Sequence, residues 1–116
     1  MRRENTEKPW GSFERFTLNE LSTVKIITVK NGEALSLQTH KHRSEFWKIL
    51  KGNPAVQIGN SIVEALPGDE FTIAEGEQHR ISAPSNEVLF LEIAFGEFDE
   101  DDIVRIEDKY NRIDHD

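Results

Sequence analysis

Cysteine is absent from the 116 residues. Its absence excludes disulfides, thiolate metal sites and a cysteine nucleophile, so any metal has to be held by nitrogen and oxygen donors. Long apolar runs are absent too. No stretch is long enough to cross a bilayer as a helix, and the opening MRRENTEKPW is charged, with no secretory-type apolar segment. A cytoplasmic location is therefore expected, with no membrane partner. Basic residues are the minority, 14 Lys and Arg against 22 Asp and Glu, for a net charge of −8. That balance argues against nucleic acid as a partner, because binding a phosphate backbone needs a positive face. Much of the acidic excess falls late, in GEFDEDDIVRIED, and reads as a solvated surface.

What is present is a succession of short apolar runs rich in β-branched and aromatic residues: TVKIITV (23–29), FWKIL (46–50), AVQI (55–58), SIVEAL (61–66), EFTIA (70–74), HRISA (79–83) and VLFLEIAF (88–95). Gly, Pro and Asn punctuate them in KNGE, KGNP, GNS, LPGDE, AEGEQ and APSN, as reversing strands require. VQIGNSIVE reads as a tight hairpin, and KPWG as a turn anchoring the first strand. The pattern predicts one all-β domain over residues 1–116, a sandwich or barrel. Only the tail looks helical. Ile103, Ile106 and Tyr110 fall at i, i+3 and i+7, behind acids at Glu100 to Asp102 that suit a helix N-terminus.

Histidine is scarce: His40, His42, His79 and His115, the last one residue from the end. On a strand, side chains alternate with period two, so Gln38, His40 and His42 form a row of N and O donors on one face. Two histidines at that spacing also suit a partly exposed polar face. A third histidine, His79, sits in the glycine-punctuated PGDEFTIAEGEQHRISA, which antiparallel closure could bring against the first row.

These two segments resemble the cupin motifs G-x5-H-x-H-x4-E-x6-G and G-x5-P-x-G-x2-H-x3-N. Gly32, Gln38, His40, Glu45 and Gly52 keep the first spacing, with Gln38 in the first histidine's place. Gly68, Gly76 and His79 keep the second, with Ala74 for the proline and Ala83 for the asparagine. The resemblance implies a cupin, a double-stranded β-helix or jelly-roll barrel, with Gln38, His40, Glu45 and His79 as metal ligands and His42 outside the four. A narrower resemblance runs through KPWGSFE, LSLQTHKHRSEFW and GEFDEDDIVRIEDKYNR. Together they are similar to the type II phosphomannose isomerase domain found at the C-terminus of bifunctional mannose-1-phosphate guanylyltransferase/mannose-6-phosphate isomerases. The implied reaction is the interconversion of mannose 6-phosphate and fructose 6-phosphate with a divalent metal. The chain departs from that pattern at Phe46, commonly histidine, at Asn111, commonly glycine, and at Lys48, within a usually apolar run.

The chemistry agrees with these residue types. Aldose–ketose isomerisation moves a proton between adjacent carbons, so it needs a base and a Lewis acid for the developing oxyanion. Two imidazoles, a carboxylate and an amide oxygen suit Zn²⁺ and would also take Mn²⁺, Fe²⁺, Co²⁺ or Ni²⁺. A phosphate needs forked cationic donors, and Arg43, inside the first motif, is the leading candidate. Arg105 divides between substrate binding and a surface ion pair, while Arg112 and Arg80 read as structural. His42 is the candidate general base. Trp10 and Trp47 read as core or rim packing. Two competing functions are a non-catalytic sugar- or nucleotide-sugar-binding cupin and an iron-dependent cupin oxygenase. Gln38 argues against the latter, which favours three histidines. A homodimer is expected, because edge strands seek partners.

Overall fold

A computed structural model describes residues 3–110. Eleven strands run in chain order: β1 (Glu4–Lys8), β2 (Gly11–Arg15), β3 (Ser22–Val29), β4 (Leu37–Thr39), β5 (Ser44–Lys51), β6 (Ala55–Ile58), β7 (Ser61–Glu64), β8 (Glu70–Ile73), β9 (His79–Ser82), β10 (Val88–Phe95) and β11 (Val104–Glu107). All seven expected strands are among them. β1 and β2 form a separate hairpin around the Pro9–Trp10 turn. The rest make a four-stranded sheet, β3-β10-β5-β8, and a five-stranded sheet, β11-β4-β9-β6-β7, with antiparallel pairing throughout.

Period-two alternation positions the site. In β3 the inward row is Val29, Ile27, Lys25; in β10 it is Val88, Phe90, Glu92; these rows sit opposite each other residue by residue. In β5 the inward row is Ile49, Trp47, Glu45. Trp47, Ile49, Val88 and Phe90 meet Val56, Ile73 and Ile81 in one buried cluster drawn from both sheets. Each row thus begins apolar and ends ionisable. The apolar halves form a floor, and Lys25, Glu45 and Glu92 stand above it at one mouth of the barrel. Burial of the floor residues contributes about 25 cal/mol per Å² of apolar surface removed from water.

The outward row of β5 serves a different purpose. Phe46 is 2% exposed and packs on Phe16 at 5.4 Å between ring centroids, with the Arg3 guanidinium over both rings. Lys48 lies 3.5 Å from Glu14 and 3.7 Å from Glu70, and Arg3 pairs with the same two carboxylates. Phe46 and Lys48, two of the three departures from the family pattern, therefore fasten the N-terminal segment to the outside of the sheet. Trp47 is buried in the core, as expected, whereas Trp10 is 73% exposed at the hairpin turn.

The expected C-terminal helix is absent; no helix occurs among the described residues. Residues 104–107 instead add β11 to β4, with Arg105 opposite Gln38 and Val104 opposite Thr39. The side chains alternate accordingly: Ile103 and Arg105 are half-buried, Val104 and Ile106 exposed. A tetrad with β-branched Val104 and Ile106, lying beside an unpaired strand edge, gains ladder hydrogen bonds there, which outweighs a three-residue helical pattern. The acids before it do not cap a helix. The Asp102 carboxylate accepts the backbone N–H groups of Lys41 and His42, each at 2.9 Å. Asn111, Arg112 and His115 lie outside the described residues.

Gly52 holds a positive φ of 87°, and a Cβ there would stand 2.3 Å from the Glu87 carbonyl oxygen. Gly59, in the β6–β7 turn, also has a positive φ but faces open space. Both pay the left-handed penalty when replaced, ~1 kcal/mol, but only Gly52 adds a backbone clash of 1–3 kcal/mol on the order of an overpacked core. Urea denaturation of Gly52→Ala is expected to show a loss of about 3 kcal/mol, and of Gly59→Ala about 1 kcal/mol.

Candidate metal centre

His40 follows β4, Glu45 lies in β5 and His79 opens β9. All three are at most 3% exposed. One donor atom from each lies within 4.8 Å of the others. Glu45 is central: its Oε2 is 3.6 Å from His40 Nε2 and its Oε1 is 3.6 Å from His79 Nε2, too far for hydrogen bonds. Gln38 sits directly opposite His79 across the β4–β9 pair and, with His40 and Glu45, lines a cavity of about 200 Å³. Its Oε1 accepts a hydrogen bond from Ser36 Oγ at 3.0 Å. The second-motif turn is tied to the first, because the Gly76 N–H donates to the His40 carbonyl at 2.7 Å.

The ring tautomers follow from the backbone. His40 Nδ1 lies 2.7 Å from the Asp102 carbonyl and His79 Nδ1 2.9 Å from the Glu77 carbonyl. A carbonyl only accepts, so each Nδ1 carries the proton and each Nε2 presents a lone pair toward Glu45. Burial lowers the pKa of both rings, against the pull of those carbonyls and of Glu45, and keeps them neutral. His79 Nε2 and Glu45 Oε1 have no hydrogen-bond partner although fully buried. Two neutral imidazoles with converging lone pairs and an unsatisfied carboxylate oxygen fit a divalent cation. No cysteine competes for it, and the donor set alone does not choose between zinc and its neighbours.

Arg43 is 7% exposed beneath the Phe98 ring, 4.4 Å from its centroid. Its Nε donates to Glu45 Oε2 at 3.1 Å, Nη1 to the Asp99 carbonyl at 3.0 Å, and Nη2 approaches His40 Nε2 at 3.3 Å. Arg105, opposite Gln38, lines the cavity as well. His42 does not. β4 ends at Thr39, and the chain bends at Lys41 and His42, so the expected face shared by His40 and His42 is broken and His42 is exposed outside the cavity lining. Arg80 points to the other side, where it donates to the Leu35 and Glu107 carbonyls.

Glu92 is the residue that the sequence reading missed. It is 7% exposed on the cavity wall, opposite Lys25 and beside the charge of Glu45. Burial first, then Glu45, pushes its carboxyl up to about 7. The available signal was the alternation Val88, Phe90, Glu92: an acid in the inward row of a strand that otherwise reads as continuous core.

Proteins of known structure place this architecture. The chain is similar to a cupin protein from Bacteroides fragilis, at 27% identity and a TM-score of 0.61 over 71% of this chain and 72% of that one. The capsular polysaccharide assembling protein CapF from Staphylococcus aureus shares the fold at a TM-score of 0.65 and 18% identity, over 91% of this chain and 34% of that one. The molecule is a cupin. Within that class the chain belongs to the family described as mannose-6-phosphate isomerase C-terminal, whose model matches residues 2–108. Curated relatives include the mannose-1-phosphate guanylyltransferase ManC of Salmonella typhimurium, 36% identical over 91% of this chain, and the xanthan biosynthesis protein XanB of Xanthomonas campestris, 37% identical over 90%. The chain spans 22% and 23% of their lengths.

The raised Glu92 pKa makes a stability prediction for the metal-free protein. A carboxyl held at about 7 when folded and near 4.5 when unfolded stabilises the fold below pH 4.5. That contribution disappears as pH rises through 7, a span on the order of 3 kcal/mol. Glu92→Gln removes the titration. Denaturant unfolding of both proteins is expected to show the variant gaining on the wild type between pH 5 and pH 8; a pH-independent difference would contradict it.

Proposed function

We propose that the chain is a metal-dependent aldose–ketose isomerase for a sugar phosphate, with mannose 6-phosphate and fructose 6-phosphate as the preferred pair. The observation that carries this reading is a buried cluster in which His40, His79 and Glu45 bring donor atoms within 4.8 Å of one another, at the wall of a cavity that His40 and Glu45 line together with Arg43, Arg105 and Glu92. Family membership supports it. His40, His79, Glu45 and Gln38 would hold a divalent cation, zinc by preference, with manganese, iron, cobalt or nickel as alternatives. Such a cation would supply Lewis-acid stabilisation of the oxygen on which negative charge develops. Arg43 and Arg105 supply forked donors for phosphate oxygens. With Glu45 committed to the cation, Glu92 is the buried carboxyl on the wall left to carry a proton between adjacent sugar carbons, Glu100 being exposed at the rim. His42, at the exposed bend, is the alternative base.

The departures at Phe46 and Lys48 are one ground for a binding-only cupin. Both lie under the N-terminal hairpin, away from the cavity, so they give no reason to doubt turnover. The iron-oxygenase alternative is disfavoured by Gln38, whose amide stands on the cavity wall where that class favours a histidine.

We further propose a homodimer through β3. Among the described residues this strand is a free sheet edge with Val24 and Ile26 58% and 64% exposed, and Ser22–Val29 holds no acid in a chain of net charge −8. An antiparallel edge paired with its own copy closes on a two-fold axis. Light scattering is expected to give a dimer for the wild type and a monomer for Ile26→Lys; a monomeric wild type would overturn it.

For the reaction, protein loaded in turn with Zn²⁺, Mn²⁺, Fe²⁺ and Co²⁺ is expected to convert mannose 6-phosphate to fructose 6-phosphate. Glu45→Gln is expected to lose bound metal and turnover together, and Glu92→Gln to keep its metal while kcat falls roughly 100-fold or more. Failure of all four metals to support turnover would overturn the isomerase reading.

A further inference from the structure

Arg43 uses two of the atoms assigned to the cation. Its Nη2 approaches His40 Nε2 at 3.3 Å and its Nε donates to Glu45 Oε2 at 3.1 Å. A carboxylate oxygen has lone pairs to spare, but an imidazole whose Nδ1–H is already donated, here to the Asp102 carbonyl, has a single lone pair at Nε2. That pair serves either the guanidinium or a metal ion. The side chain is held from behind by contacts that compete with neither, the Asp99 carbonyl on Nη1 at 3.0 Å and the Phe98 ring at 4.4 Å. A metal on His40 therefore strips Nη2 of its acceptor without dislodging the arginine.

We infer that Arg43 is a built-in competitor for the metal site and that metal binding releases its Nη2 from His40 to donate to an oxyanion in the cavity. The inference rests on the metal-site reading given above. A guanidinium is planar and permanently charged, so once His40 is taken, its unmatched N–H groups and the cation beside it create a demand for an anion. Lys25, Gln38, Glu92, Glu100 and Arg105 line the space it would enter. Lys25 and Arg105 add positive charge there, and of the two only Arg105 adds a second fork, which favours a contact by two arginines on one phosphate- or sulfate-like group. The carboxyl of Glu92 would oppose that anion unless protonated, and so steers the oxyanion toward the arginine side of the cavity. By linkage, metal and oxyanion must then strengthen each other's binding by the same factor.

The test is calorimetric titration of Zn²⁺ into the full chain in chloride buffer, with and without sulfate as the oxyanion probe, for wild type, Arg43→Ala and Arg43→Lys. In chloride, Arg43→Ala is expected to bind Zn²⁺ roughly tenfold more tightly than wild type. Sulfate is expected to tighten Zn²⁺ binding to wild type by a similar factor, to do so weakly for Arg43→Lys, and to leave Arg43→Ala unchanged. Circular dichroism reports whether the variants fold; if neither does, the wild-type sulfate arm alone decides. Zn²⁺ binding that ignores sulfate in the wild type, or that is equal or weaker in folded Arg43→Ala, overturns the inference while leaving the metal site standing. Absence of Zn²⁺ binding in every protein overturns the metal site itself.

Discussion

The Nδ1–H of His40, donated to the Asp102 carbonyl at 2.7 Å, is the interaction on which the rest of the site depends. It fixes the tautomer, and so decides which ring nitrogen faces Glu45. It also joins the segment before β11 to the segment after β4, which the carboxylate of the same Asp102 reinforces through the Lys41 and His42 N–H groups. Placing the C-terminal residues against the barrel mouth is therefore not decoration of a finished fold. The tail completes the geometry of a histidine more than sixty positions earlier in the chain.

Much of this was legible in the sequence. Alternation and turn residues located the seven strands, because all but β7 are half or fully buried and their register is set by that burial, while the exposed β7 is fixed by its tight turn to β6. The spacing Gln38, His40, Glu45 and His79 led to residues that the fold does bring together, with His40, Glu45 and His79 in one cluster and Gln38 opposite His79. Other features were not legible for physical reasons. His42 follows His40 by two, which on a strand means the same face, yet the strand stops at Thr39 and the inference fails with it. Ile103 and Ile106 fit a helix on pattern alone; the deciding quantity was a free edge on β4, which only the assembled sheet exposes. Glu92 hid in VLFLEIAF because a strand buried on both faces gives no contrast between inward and outward positions.

The cavity and the donor cluster at its wall concentrate groups that a purely structural core would avoid. His40, Arg43, Glu45, His79 and Glu92 are each below 8% exposed. Every buried charge carries a desolvation cost that its partners repay only in part, and apolar residues of similar volume would serve stability as well or better. Their presence is intelligible as the requirement of a site, supported by a floor of Trp47, Ile49, Val88 and Phe90 that keeps water out beneath it.

The two faces of β5 have a consequence for how such a protein can change. Glu45 and Trp47 belong to the cavity and its floor; Phe46 and Lys48, interleaved with them, belong to the clasp that holds the N-terminal hairpin. Adjacent codons therefore answer to separate demands. Substitution at the even positions can retune how the hairpin grips the sheet while the odd ones keep the chemistry, so chemistry and clasp can drift on independent clocks within a single eight-residue strand.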